Sequence, residues 1–72
     1  MDPKRTGRCI SLARKKLGLS QKELADRLNI TDKAVSKWER GLSFPDISML
    51  IPLTETLSVT LYDLLTGGQE DE

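Results

Sequence analysis

Seventy-two residues provide the core of a single small domain held by packing alone, because the lone cysteine, Cys9, has no intramolecular partner and a chain without histidine lacks the usual ligands of a zinc site. Eleven basic and eleven acidic side chains cancel, no run approaches the roughly 18 apolar residues of a membrane span, and the polar opening MDPKRTGR leads into no signal-peptide core, so a cytoplasmic location without membrane attachment is expected. No Cys–His or Ser–His pair and no phosphate-cradling glycine loop occurs, which argues against an enzyme, a cofactor or a metal.

Cap and turn signals divide the chain into five short helical segments, and no stretch alternates with the period of two of a half-buried strand, so an all-α, compact five-helix domain is predicted. Residues 1–7 are expected to be a basic N-terminal arm, 8–67 the folded domain, and 68–72 a disordered acidic tail. The first segment runs from about Thr6 to Leu17, with Ile10, Ala13 and Leu17 on one face and Gly18 as terminator. Cys9 borders that face as a small hydrophobe. The second begins after Ser20, with Glu23 three residues on as a capping box, and turns Leu24, Ala25 and Leu28 inward. Asn29 tolerates the left-handed turn that follows, and Ile30 plugs the corner.

The third segment opens on Thr31 as N-cap and buries Val35 and Trp38, ending near Gly41. The spacing of Trp38 from Val35 favours packing over an exposed stacking role. A fourth segment, capped by Asp46 or Ser48, carries Leu50, Ile51, Leu53 and Leu57, with Pro52 expected to kink it and Ser58 ending it less comfortably than glycine would. The fifth runs from Thr60 through Leu61, Leu64 and Leu65 to Gly67; Leu61 and Tyr62 read equally as core or as an exposed patch where two copies meet.

The charges are segregated along the chain. Residues 1–40 hold all eleven basic side chains and five acids, a net of +6, whereas residues 41–72 hold six acids and no base. Such a basic end would orient the domain on a polyanion. Two short helices joined by a tight turn, the second with one apolar and one polar face, form a unit able to lay a helix in the DNA major groove. On the third segment the outward positions are Asp32, Lys33, Ser36, Lys37 and Arg40, all able to hydrogen-bond to base edges or phosphates. Asp32 accepts from cytosine N4 or simply favours the helix N-terminus. Lys4, Arg5, Arg8, Lys15 and Lys16 read as solvated charges that can neutralise phosphate without specifying sequence.

The stretch LSQKELADRLNITDKAVSKWERG, Leu19 to Gly41, resembles closely the helix-turn-helix of the Cro and lambda-repressor family of bacterial and phage regulators, with the motif proper at about 20–40. Pro45, Leu50, Leu57, Val59 and the Leu64–Leu65 pair extend the likeness over roughly residues 8–67. The resemblance implies a sequence-specific transcriptional regulator, most simply a repressor. It would bind a pseudo-palindromic double-stranded DNA operator as a homodimer that is weak or DNA-dependent. It also implies base reading by Asp32, Lys33, Ser36 and Lys37, and phosphate contacts by Gln21, Thr31, Arg40 and Ser43. Gln21 would brace the recognition helix near its first residues, and Arg14 with Glu39 would form a structural ion pair. Asn29 and Ser58 depart from the family, which often has glycine there. The alternative is a protein-interaction module on the same fold, antitoxin- or anti-repressor-like, with little DNA binding. Gln21, Lys33, Lys37 and Arg40 weigh against it, since a protein-binding face is richer in aromatics and leucines.

Overall fold

The computed structural model describes residues 2–67 as five helices: α1 (Pro3–Lys16), α2 (Gln21–Leu28), α3 (Asp32–Glu39), α4 (Ile47–Leu57) and α5 (Leu61–Thr66). No strand occurs among these residues. The acidic tail expected over 68–72 lies outside the described residues.

Each helix starts where a short polar side chain can satisfy amides that the helix itself leaves unpaired. Ser20 and Glu23 form a reciprocal capping box at α2, Thr31 accepts from the Ala34 amide at α3, Asp46 from Ser48 at α4, and Thr60 from Asp63 at α5. The competing cap for α4, Ser48, instead donates its hydroxyl to Asp46. Asn29 closes α2 and Ser58 closes α4, each in the left-handed conformation. Helix α4 continues through Pro52 to Leu57.

The first helix departs from expectation. Residues 3–7 are not an arm: Asp2 accepts from the Lys4 amide at 3.0 Å, Pro3 occupies the first helical position, and α1 starts three residues early. Its opening turns are tied down on two sides. The buried Thr6 hydroxyl donates to the Leu64 carbonyl of α5 at 2.8 Å, and Gly7 is pressed against the backbone of α3.

Ile10, Leu24, Val35, Leu53 and Leu64, one from each helix, are fully enclosed and form the centre of the core with Cys9, Ala13, Ala25, Leu28, Trp38 and Leu57. Trp38 is therefore a packing residue. Ile30 sits half-buried against this cluster at the α2–α3 corner. Helix α1 lies on α3 and α5, while α2 bridges α3 and α4. Leu17, expected inside, is exposed because the chain leaves the helix there, and Ile51 faces outward from α4. Leu61 and Tyr62 are exposed rather than core.

Candidate nucleic-acid interface

The α3 sequence separates into two faces by helical periodicity. Val35 and Trp38 turn inward, and Asp32, Lys33, Lys37 and Arg40 are exposed on the opposite side, with Ser36 half-buried at its edge. Among the described residues neither Lys33 nor Lys37 has an ion-pair partner or a side-chain hydrogen bond. Standing one turn apart, they present two ammonium groups to solvent from one rigid surface.

Arg40 and Ser36 are linked: the guanidinium Nε donates to the Ser36 hydroxyl oxygen at 3.2 Å and to its carbonyl at 3.3 Å. This fixes the Arg40 fork along the helix while leaving both terminal nitrogens outside these bonds, and the Ser36 hydroxyl keeps its own proton to donate. Thr31 spends its oxygen as N-cap and likewise retains a donor, and it is exposed. Ser43 is exposed on the loop after α3. Asp32 occupies the first turn of α3, where the helix dipole favours a carboxylate.

Behind this face lies a polar hub that joins the first three helices. Arg14, on α1, donates from Nε to Glu39 Oε2 at 2.6 Å, from Nη2 to Glu39 Oε1 at 2.9 Å, and from Nη1 to the Leu19 carbonyl at 2.7 Å. The side chains of the pair are only 10% and 7% exposed, so its charges are neither free for DNA nor strongly screened. Gln21, the first residue of α2, adds a bond from Nε2 to Glu39 Oε1 at 3.0 Å. It therefore braces α3 at its last residue and not at its first ones. Because a carboxylate only accepts, one Nε2 hydrogen serves Glu39 and the second remains a donor outside this bond.

Burial alone would raise the Glu39 carboxyl, but the bonds from Arg14 and Gln21 and the charges of Arg14 and Lys15 outweigh it and hold the group below the ordinary carboxylate range. The same pairing pushes Arg14 upward. The hub is thus ionised at neutral pH, and it links α1, α2 and α3.

Two close approaches of α1 have no counterpart in the local sequence pattern. A Cβ at Gly7 would lie 2.1 Å from the Trp38 carbonyl oxygen and 3.1 Å from that of Glu39, and a Cβ at Gly41 would lie 2.6 Å from Lys4 Cγ. A glycine inside an otherwise good helix was the available signal for the first. Among the described residues no group of three or more potential metal ligands gathers, and no helix is long and apolar enough to cross a membrane.

Residues 10–64 match the family model described as Helix-turn-helix. The chain is 39% identical over 51 residues to the HTH-type transcriptional activator BcrR of Enterococcus faecalis, covering 71% of this chain and 25% of that protein. It is 38% identical over 64 residues to the HTH-type transcriptional regulator ImmR of Bacillus subtilis (strain 168), covering 89% of this chain and 50% of that one. It thus spans a quarter to a half of these relatives. The crystal structure of the clp gene regulator ClgR from Corynebacterium glutamicum superposes with a TM-score of 0.81 over 92% of this chain and 70% of that one, at 21% identity, a likeness of fold.

Proposed function

The chain belongs to the helix-turn-helix family of the Cro and lambda-repressor type, whose members are non-enzymatic DNA-binding regulators, and from that premise we propose that it is a cytoplasmic, sequence-specific regulator that inserts α3 into the major groove of an operator. The observation that carries this reading is the unpartnered Lys33 and Lys37 pair on the exposed face of α3, beside an Arg40 already oriented along the helix. Lysine and arginine donate to guanine O6 and N7, and an α-helix fits the groove. Ser36 and Asp32 complete the base-reading set; Gln21, Thr31, Arg40 and Ser43 hold the flanking phosphates.

The operator is read as a pseudo-palindrome bound by two copies, with half-sites about one helical turn, roughly 34 Å, apart, the geometry general to this motif. The exposure of Leu61 (41%) and Tyr62 (61%) on α5 supports an apolar contact between copies there. Occupying a promoter represses by itself, whereas activation requires a further contact with the transcription machinery, so repression is the direct consequence of binding.

Selection from a pool of random duplexes tests the reading. An enriched inverted repeat bound by two chains supports it; a pool left unenriched, with the protein retained by another protein instead, supports the interaction-module alternative.

A further inference from the structure

The first turn of α1 lies against the end of α3. At Gly41, whose φ of +72° turns the chain out of α3, an added Cβ would stand 2.6 Å from Lys4 Cγ and 3.1 Å from Lys4 Cα. Lys4 thus rests its stem on the backbone between Arg40 and Ser43, two residues already assigned to phosphate contact. Its mounting is rigid: Asp2 caps the helix one turn before the Thr6 bond to α5 and the Gly7 contact with α3.

Lys4 is exposed, and among the described residues it has no ion-pair partner. The obvious structural task for a lysine at this place is to complement the C-terminal carbonyls of α3. That task is largely done already. The Ser36, Lys37 and Trp38 carbonyls accept from the amides of Arg40, Leu42 and Gly41 at 3.0, 2.9 and 3.0 Å.

We infer that Lys4 is a further phosphate-contacting residue, extending the interface from the C-terminal end of α3 onto the first turn of α1. The inference rests on the docking of α3 proposed above. Its contribution is electrostatic and blind to sequence: one more condensed counterion is released per bound chain. Lys16 is the internal control, since it is the last residue of α1, at the other end of the helix from Lys4, lining a groove with Leu12, Leu57 and Val59.

The test is the salt dependence of duplex binding for the full chain and for Lys4→Gln, Lys4→Arg and Lys16→Gln, with thermal melting of each. Lys4→Gln is expected to bind every duplex several-fold more weakly with the rank order of sequences kept, and to lower the slope of log K against log salt by about 0.9 per chain. Lys4→Arg and Lys16→Gln keep the original slope. An unchanged slope for Lys4→Gln overturns the inference, as does an equal fall for Lys16→Gln, which marks a diffuse charge effect. A melting change in Lys4→Gln without a slope change assigns the residue to the α3 terminus instead. Failure of the unsubstituted chain to bind any duplex removes the docking reading and this inference together, and is seen in that chain alone.

Discussion

The Trp38 carbonyl oxygen occupies space that a side chain at Gly7 would need, at 2.1 Å from the position of its first carbon. Contact this close between the backbones of α1 and α3 lets Thr6 reach α5 and Arg14 reach Glu39 from the same helix. Gly7→Ala therefore forces α1 and α3 apart. The expected loss is about 3 kcal/mol, at the upper end of overpacking effects, although alanine is the better helix former. Urea unfolding checks it; a gain in stability, as propensity alone would give, contradicts this crossing.

Glu39 is the acceptor on which Arg14 and Gln21 converge. Glu39→Ala leaves the Arg14 guanidinium buried without its counter-charge and should cost about 3 kcal/mol. Replacing both partners by apolar residues of similar volume should cost less than either single change, and a double-mutant cycle in urea measures the difference.

The same carboxylate sets a pH dependence. Its pKa is lowered on folding, so the stability it adds is full above the unfolded value, about 4.3, and is lost as pH falls through the lower folded value. Glu23 and Asp46, each lowered by hydrogen bonds at a helix start, act in the same direction. Unfolding midpoints should fall as the medium is acidified below about pH 5. Glu39→Gln should make the descent shallower, and an unchanged descent would contradict the assignment.

Ser58 adopts φ 57° as the C-cap of α4, a conformation that glycine reaches without steric cost. Ser58→Gly should raise stability by about 0.5–1 kcal/mol. Asn29→Gly, at φ 61°, should change it by only a few tenths, because asparagine is among the residues that tolerate this region. Thermal melts of the two variants give the comparison.

Cys9 is 7% exposed, and burial, with the nearby Asp63 charge, pushes its thiol upward. Alkylation at neutral pH should be slow in the folded chain and reach the rate of a free thiol only on unfolding. Rapid labelling under native conditions would show that α1 and α5 separate readily.

The capping residues make the helices legible in the sequence. Ser20 with Glu23, Thr31 and Asn29 act locally, within three or four residues, and the alternation of Val35 and Trp38 with polar neighbours separates the two faces of α3. α1 starts earlier than expected because Gly7 and the surrounding basic residues resemble a flexible lead, whereas Asp2 caps the helix and Pro3 opens it. Gly7 is there for a contact with a residue thirty-one positions away, which no local pattern encodes. Likewise, the Gln21 amide turns toward Glu39 because of how α2 crosses α3, a relationship absent from the spacing of either helix.

The central claim, that α3 reads base edges through Lys33 and Lys37, is met most directly by measuring the affinity of the chain and of the Lys33→Ala, Lys37→Ala double variant for a selected duplex and a scrambled one at two salt concentrations. The expected result is that the variant folds as before, loses most of its preference for the selected duplex, and keeps a residual salt-dependent affinity for both from Arg40 and the other phosphate contacts. A variant that keeps its full preference would contradict direct readout by α3.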